Sequence, residues 1–247
     1  MTRQFYISVV PLLLINGSLI LGYLLFMILG FNKKTHKALQ KTANKEIIAK
    51  SLQNYWFHIT EPFVNFLIKL KITPNTITII GVIFSFLAGI LFSIKAWGAA
   101  GWIMILGGVF DLLDGRIARE TNTVTKSGAY LDSVMDRYSD GFVLSGLAIA
   151  FRNHWLLSFI LLCFIGFFAI SYAKARSEAH GVRCDVGMFQ RAERIYSLSL
   201  AAIFSPIFSY YLNLSYPALL FGIIIILAIG TFATSVYRVY YSFKRVE

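Results

Sequence analysis

Four aspartates, Asp111, Asp114, Asp132 and Asp136, are the residues of this 247-residue chain whose type and spacing can do chemistry. They make up a third of its 12 acidic side chains and lie in a stretch that is otherwise largely apolar. Asp111 and Asp114 stand three apart and Asp132 and Asp136 four apart, so each pair shares one face of a helix. Two neighbouring antiparallel helices would present all four carboxylates to one cavity, where they would repel one another. Divalent cations resolve that repulsion. Carboxylate oxygens suit Mg²⁺ or Mn²⁺, and two such ions can clamp both sides of a phosphoryl displacement. A carboxylate not used on metal can serve as a general base. The competing reading is a set of salt bridges to Arg116, Arg119, Lys126 and Arg137. Gly115 and Gly128 have no side chain, so a flat ring can lie against the backbone there, and Ala118 keeps that wall low. Arg119 can pair with a phosphate.

The elements that carry these residues are apolar. The chain is 57% hydrophobic and only 14% charged, with a mean hydropathy of +0.67. Several stretches of about 20 apolar residues point to a polytopic helical membrane protein. The net charge of +11 is better explained by cationic loops facing an anionic leaflet than by nucleic acid, since no aromatic-and-basic nucleic-acid module is present. Cys163 and Cys184 have no metal spacing, and no disulfide is expected between them.

A first span is expected from Tyr6 to Phe31; it is too long for a signal-peptide core and reads as a retained helix. A basic connector follows, with Lys33, Lys34, Lys37, Lys41, Lys45 and Lys50. From Ile48, apolar residues recur at Leu52, Tyr55, Trp56, Ile59, Phe63, Phe66, Leu67 and Leu70 with polar residues between them, the pattern of a helix lying in the membrane interface. The alternative is an ordinary amphipathic helix packed on protein. Thr73-Pro74 reads as a capped helix start. Six spans then follow, over 76–94, 99–118, 127–151, 155–173, 195–212 and 217–237. The predicted fold is an all-α polytopic membrane protein: a six-helix transmembrane core over 73–247, an extra N-terminal transmembrane helix over 1–31, and a connector with an interfacial helix over 32–72. With the connector inside, only Arg3, Lys95 and Arg152 of the 23 basic residues fall outside. That positive-inside bias puts the carboxylates at the cytoplasmic ends of their spans, in the plasma membrane.

Asp-x2-Asp-Gly-x2-Ala-Arg-x8-Gly-x3-Asp-x3-Asp, complete here from Asp111 to Asp136, resembles the signature of the CDP-alcohol phosphotransferase family. The likeness extends over roughly residues 45–240. It implies an enzyme that moves a phosphate-linked alcohol from a CDP-linked donor to a second alcohol and releases CMP. By the resemblance, Asp111, Asp114 and Asp132 bind two metals (Mg²⁺ or Mn²⁺), with Asp136 helping or acting as base. Gly115, Ala118 and Gly128 would border the cytidine, Arg119 would brace the nucleotide, and Asn75 and Thr78 would bond the diphosphate unless they serve only to cap and pack. Homodimers are usual in such a family.

The loop after the fourth core span carries Ser171-Tyr172-Ala173-Lys174-Ala175-Arg176 and Arg191-Ala192-Glu193-Arg194. These segments, with Asp136-Arg137-Tyr138-Ser139-Asp140-Gly141, resemble bacterial phosphatidylinositol phosphate synthases. Carried over, Lys126, Lys174, Arg176, Arg191 and Arg194 form a phosphate pocket for a phosphorylated polyol, with inositol phosphate preferred and CDP-diacylglycerol as donor. A plain positive-inside loop with internal ion pairs is the other reading. Phosphatidylglycerophosphate synthesis from glycerol 3-phosphate and head-group transfer from a CDP-amino-alcohol are alternatives within the class. An ion transporter is the alternative outside it, although the chain lacks inverted repeats. Asp140, one turn past Asp136, can orient Arg137 or a lysine, or lie near the acceptor hydroxyls.

Overall fold

The computed structural model describes residues 2–28, 47–214 and 217–246, and these residues form eight α-helices. They are α1 (Thr2–Ile28), α2 (Ile47–Lys69), α3 (Pro74–Ser93), α4 (Trp97–Glu120), α5 (Lys126–Ala150), α6 (Leu156–Ala179), α7 (Arg191–Tyr211) and α8 (Ala218–Phe243). The expected order of a first span, an amphipathic helix and six core helices is reproduced. The connector lysines from Lys33 to Lys45 lie outside the described residues.

Local chemistry sets the helix starts. Thr73 caps α3 by accepting a hydrogen bond from the Thr76 amide, with Pro74 in the first turn. Thr125 caps α5 through the Gly128 amide at 3.0 Å. Gln190 and Glu193 form a reciprocal capping box on α7. Reversals fall at Lys71, Lys95, Asn122 and Phe189, all with positive φ.

Five helices, α1, α3, α4, α6 and α8, are long and apolar enough to cross a membrane. α5 and α7 carry the charged residues Asp132, Asp136, Arg137 and Asp140, and Arg191, Glu193 and Arg194, which lowers their apolarity. Each is still long enough to span, at about 1.5 Å per residue. α5 packs along α3 and α6, and α7 along α4 and α8, so the polar helices are flanked by apolar ones. Of the charged residues, Asp140 and Arg194 are buried and Asp132, Asp136, Arg137 and Arg191 half-buried, so most of this charge is turned into the bundle.

Helices in a membrane associate by close packing of small residues. At the α3–α5 crossing, a side chain on Gly146 would run into the backbone of Gly89, and one on Gly89 into the carbonyl of Phe142. At the α4–α7 crossing, Gly101 would meet the Ser199 carbonyl at 2.7 Å. Around these contacts Phe92, Leu147, Ile160, Leu198, Ile224 and Ala228 form one core. A smaller cluster, Val64, Leu67, Ile77, Leu113 and Ile117, docks α2 on α3 and α4. The apolar stripe of α2 is therefore divided. Tyr55 and Leu67 are buried, while Trp56, Ile59, Phe63, Phe66 and Leu70 are exposed beside polar neighbours, as suits a helix that lies at the interface and leans on protein.

The turns after α3, α5 and α7 gather at one end, where Trp97 stacks on Phe151 at 5.4 Å and Phe151 meets Phe221 at 5.3 Å. The carboxylates stand towards the other end.

Candidate active site

Two helices bring the acidic motif together. α4 supplies Asp111 and Asp114 in its last turns, and α5 supplies Asp132 and Asp136 in its first. Carboxylate oxygens of Asp111, Asp114 and Asp132 all lie within 4.8 Å of one another. Three hard oxygen donors that close fit a divalent cation, because without one they would repel across a small gap. Asp114 is buried, and its Oδ2 accepts a hydrogen bond from Thr78 Oγ1 at 2.5 Å. Thr78, expected on the diphosphate, here orients a carboxylate from α3, a common device for holding a metal ligand.

Asp136 stands beside this group. Its Oδ2 is 3.3 Å from Arg137 Nη2 and its Oδ1 is 2.9 Å from Arg191 Nη1. The same Arg191 nitrogen donates to Asp111 Oδ2 at 2.6 Å. One guanidinium from the start of α7 thus bridges the two acidic helices. Thr78, Ser85, Asp111, Asp136, Asp140 and Arg191 line one narrow cleft between α3, α4, α5 and α7.

A model of the CDP-alcohol phosphatidyltransferase family matches residues 71–236, the stretch that builds this site. The chain belongs to that family. It is 36% identical over 182 residues to an archaetidylinositol phosphate synthase of Pyrococcus horikoshii, covering 73% of this chain and 89% of the relative. It is 39% identical over 152 residues to a phosphatidylinositol phosphate synthase of Mycobacteroides abscessus, covering 60% and 69%. The crystal structure of the Mycobacterium tuberculosis phosphatidylinositol phosphate synthase with CDP-DAG bound superposes with a TM-score of 0.67 at 33% identity, over 75% of this chain and 94% of that one. The same enzyme in complex with manganese and citrate gives 0.67 at 32% identity, over 74% and 88%.

In this CDP-alcohol phosphatidyltransferase the residues expected to border the nucleotide flank the carboxylates on α4 and α5. The Arg119 guanidinium lies over Gly115, so that a side chain there would meet its Nη1 at 3.2 Å. Gly128 faces the Asn75 side chain, 3.5 Å from where a Cβ would sit. Ala118 is half-buried between them in sequence. Asn75, Arg119 and Lys126 are exposed, and neither cation forms an ion pair with another described residue. Of the salt bridges weighed from sequence, Arg137 does pair with Asp136, and Arg116 pairs with Glu120 at 2.6 Å, outside the motif's carboxylates.

The basic residues of the expected acceptor pocket have different environments. Arg176 is exposed. Lys174 reaches Asp185 Oδ1 at 2.7 Å and Glu178 at 3.8 Å. Arg183 holds the other oxygen of Asp185 at 2.5 Å, and hydrogen bonds from Lys174 and then Arg183 push the Asp185 carboxyl down to about 2. Arg194 is only 2% exposed. Its Nη1 lies 3.3 Å from Asp140 Oδ2 and its guanidinium 4.3 Å from the centre of the Phe167 ring. The partner of Asp140 is thus Arg194, and neither Arg137 nor a lysine. Asp136–Arg191 and Asp140–Arg194 form two successive rungs between α5 and α7; both side chains of the first line the cleft, whereas in the second Asp140 lines it and Arg194 is buried behind.

Arg238 has no place in the reading of the sequence. It is buried, and donates to the Val186 carbonyl at 2.8 Å and the Ile170 carbonyl at 3.0 Å. Those bonds pin the loop before α7 against α6 and α8. Its position inside a long apolar stretch was the available signal, since charge at membrane depth is costly.

Proposed function

We propose that the protein transfers a phosphatidyl group from CDP-diacylglycerol to inositol phosphate and releases CMP. The observation that carries this reading is Arg191. The first residue of α7, at the end of the basic loop, reaches Asp111 and Asp136 directly, so the segment that resembles inositol phosphate synthases borders the family's reactive carboxylates. The relatives named as phosphatidylinositol phosphate synthases, one solved with CDP-DAG and with manganese, support the donor, the acceptor and the metal.

Asp111, Asp114 and Asp132 would hold the cations, and Thr78 fixes Asp114 for that role. Bound divalent metal supplies charge that neutralises the donor diphosphate and favours departure of CMP. Asn75, Gly115, Ala118, Arg119 and Gly128 frame the cytidylate half of the donor. Arg191, with Lys126, Lys174 and Arg176, orients the acceptor phosphate, and Arg194, buried against Asp140 and Phe167, backs that pocket from behind; a dianion in a partly dry pocket favours arginine forks. The acceptor hydroxyl oxygen bonds to the lipid-side phosphorus as the P–O bond to cytidylate breaks, and the hydroxyl proton passes to Asp136. The basic residues grouped at the carboxylate end support an orientation with that end towards the cytoplasm, in the plasma membrane. Family habit supports a homodimer, tested by the mass of the detergent-solubilised protein.

The deciding experiment is CMP release from CDP-diacylglycerol with Mg²⁺ or Mn²⁺, using inositol phosphate, glycerol 3-phosphate, inositol and serine as acceptors. Release with inositol phosphate alone is expected. Release only with glycerol 3-phosphate would replace the acceptor, and no release with any acceptor would overturn the reading. The archaetidylinositol phosphate synthase, which aligns over 73% of this chain, favours a parallel trial with an ether-linked CDP-lipid.

A further inference from the structure

Helix α1 lies outside the residues matched by the family and is held at both ends in different ways. Its first turns pack on the core at the end away from the carboxylates. Gln4 donates to the Lys95 carbonyl at 2.9 Å, Ser8 fills the space over Gly98, and Phe5 meets Tyr210 at 4.6 Å. Its last turns pack on α2. Tyr55 of α2 donates its hydroxyl to the Leu19 carbonyl at 2.7 Å, and Tyr23 and Phe26 lie against the Tyr55 ring at 5.2 and 5.5 Å. The approach depends on Gly22, where any side chain would collide with the Tyr55 hydroxyl.

α2 is tied in turn to the active-site helix. Arg116 of α4 is buried one residue past Gly115. Its Nη1 donates to the Phe57 carbonyl at 3.2 Å and to the Thr60 hydroxyl, its guanidinium lies 4.8 Å from the Phe57 ring centre, and its Nε reaches Glu120 at 2.6 Å. A pair with Glu120 alone would need nothing from α2. The acceptors on α2 mean that the donor-facing turn of α4, from Asp114 to Arg119, is braced from behind by α2, with Val64 and Leu67 packed on Leu113 and Ile117. Catalytic geometry tolerates displacements of only about half an ångström before it degrades.

We propose that α1 and α2 form a strap across the bundle, and that Tyr55 and Arg116 are positioning residues that pass its register to the nucleotide wall of α4. The strap acts through α4, on the binding of the CDP-lipid. Its kinetic consequence rests on the transferase reading above; its mechanical consequence does not.

The test uses the full-length protein with Tyr55→Phe, Gly22→Leu and, as control, Gly17→Leu on the same helix, where a side chain meets nothing within 4 Å. Two quantities are measured: amide exchange over residues 113–120, and KM for CDP-diacylglycerol against kcat and acceptor KM. Loss of the Tyr55 hydrogen bond is expected to raise donor KM about 2- to 10-fold, with acceptor KM and kcat nearly unchanged and exchange over 113–120 faster. Gly22→Leu, which attacks the same contact from α1, should do the same, while Gly17→Leu should match the wild type. Faster exchange with unchanged donor KM would overturn the proposal, reducing the strap to a brace for stability. So would unchanged exchange in both Tyr55→Phe and Gly22→Leu, or a loss of kcat alone from less folded enzyme. A wild-type protein that releases no CMP from any CDP-lipid would refute the transferase reading instead, and the exchange over 113–120 would then decide whether the strap holds α4.

Discussion

Removing the Arg191 guanidinium tests the assignment of the two halves of the site. Arg191 Nη1 lies 2.6 Å from Asp111 and 2.9 Å from Asp136, and its side chain is 18% exposed. Two opposite effects follow from Arg191→Ala. In the proposed reaction the acceptor phosphate loses a charge-assisted contact worth about 1.5–3 kcal/mol, which at about 1.4 kcal/mol per decade is roughly 10- to 150-fold in acceptor KM. The carboxylates lose a competitor for cations, so the metal concentration giving half-maximal activity should fall or hold, not rise. Donor KM should move by less than about threefold, because the proposed reaction uses Arg191 on the acceptor and not on the donor. Arg191→Lys keeps the charge without the planar fork and should fall between wild type and Arg191→Ala. The assay is steady-state CMP release with donor, acceptor and metal titrated separately. Equal increases in donor and acceptor KM would refute the reasoning, as would a rise in the metal requirement with acceptor KM unchanged; the latter would make Arg191 a structural part of the cation site.

Asp136→Asn should abolish turnover while leaving CDP-lipid binding largely intact in an equilibrium binding assay; loss of donor binding would move Asp136 into the metal shell. Thr78→Val keeps the shape but removes the bond to Asp114, and a lost partner of this kind should weaken Mn²⁺ binding by about 10- to 100-fold, measured by calorimetry on the substrate-free protein. Asp185 is held at about 2 by Lys174 and Arg183. A carboxyl held below its usual range contributes stability above its unfolded value, and that contribution is lost as pH falls through about 2. Acceptor KM should therefore show no titration of Asp185 between about pH 5 and 8. Asp185→Asn frees Lys174 and should lower acceptor KM severalfold if Lys174 meets the acceptor phosphate; an unchanged KM in the same CMP assay would leave Lys174 a loop anchor.

Much of this architecture is written in local pattern. A helix places residues three and four apart on one face whatever surrounds it, so the pairing of Asp111 with Asp114 and of Asp132 with Asp136 follows from spacing alone. Runs of apolar residues long enough for a bilayer, and the cap at Thr73, locate the helices in nearly the same way, although α6 and α8 run on past the expected ends of their spans to Ala179 and Phe243. The placement of lysines and arginines, by the same logic, groups the ends of the spans. Which cation meets which anion is a different question. Arg191 and Asp111 are 80 positions apart, Arg116 and Phe57 59, and no periodicity relates them. Arg194 and Arg191 look equivalent in sequence, one helical turn apart, yet Asp140 and Phe167 seal one while the other opens onto the cleft. Thr78 reads equally well as a cap, a packing residue or a phosphate ligand until α4 brings Asp114 to its hydroxyl. The chain by itself determined the helices, the carboxylate motif and the family. Tertiary packing alone decided which charges are neutralised and which stay available, because Coulomb and hydrogen-bond energies depend on distances of a few ångströms between helices remote in sequence.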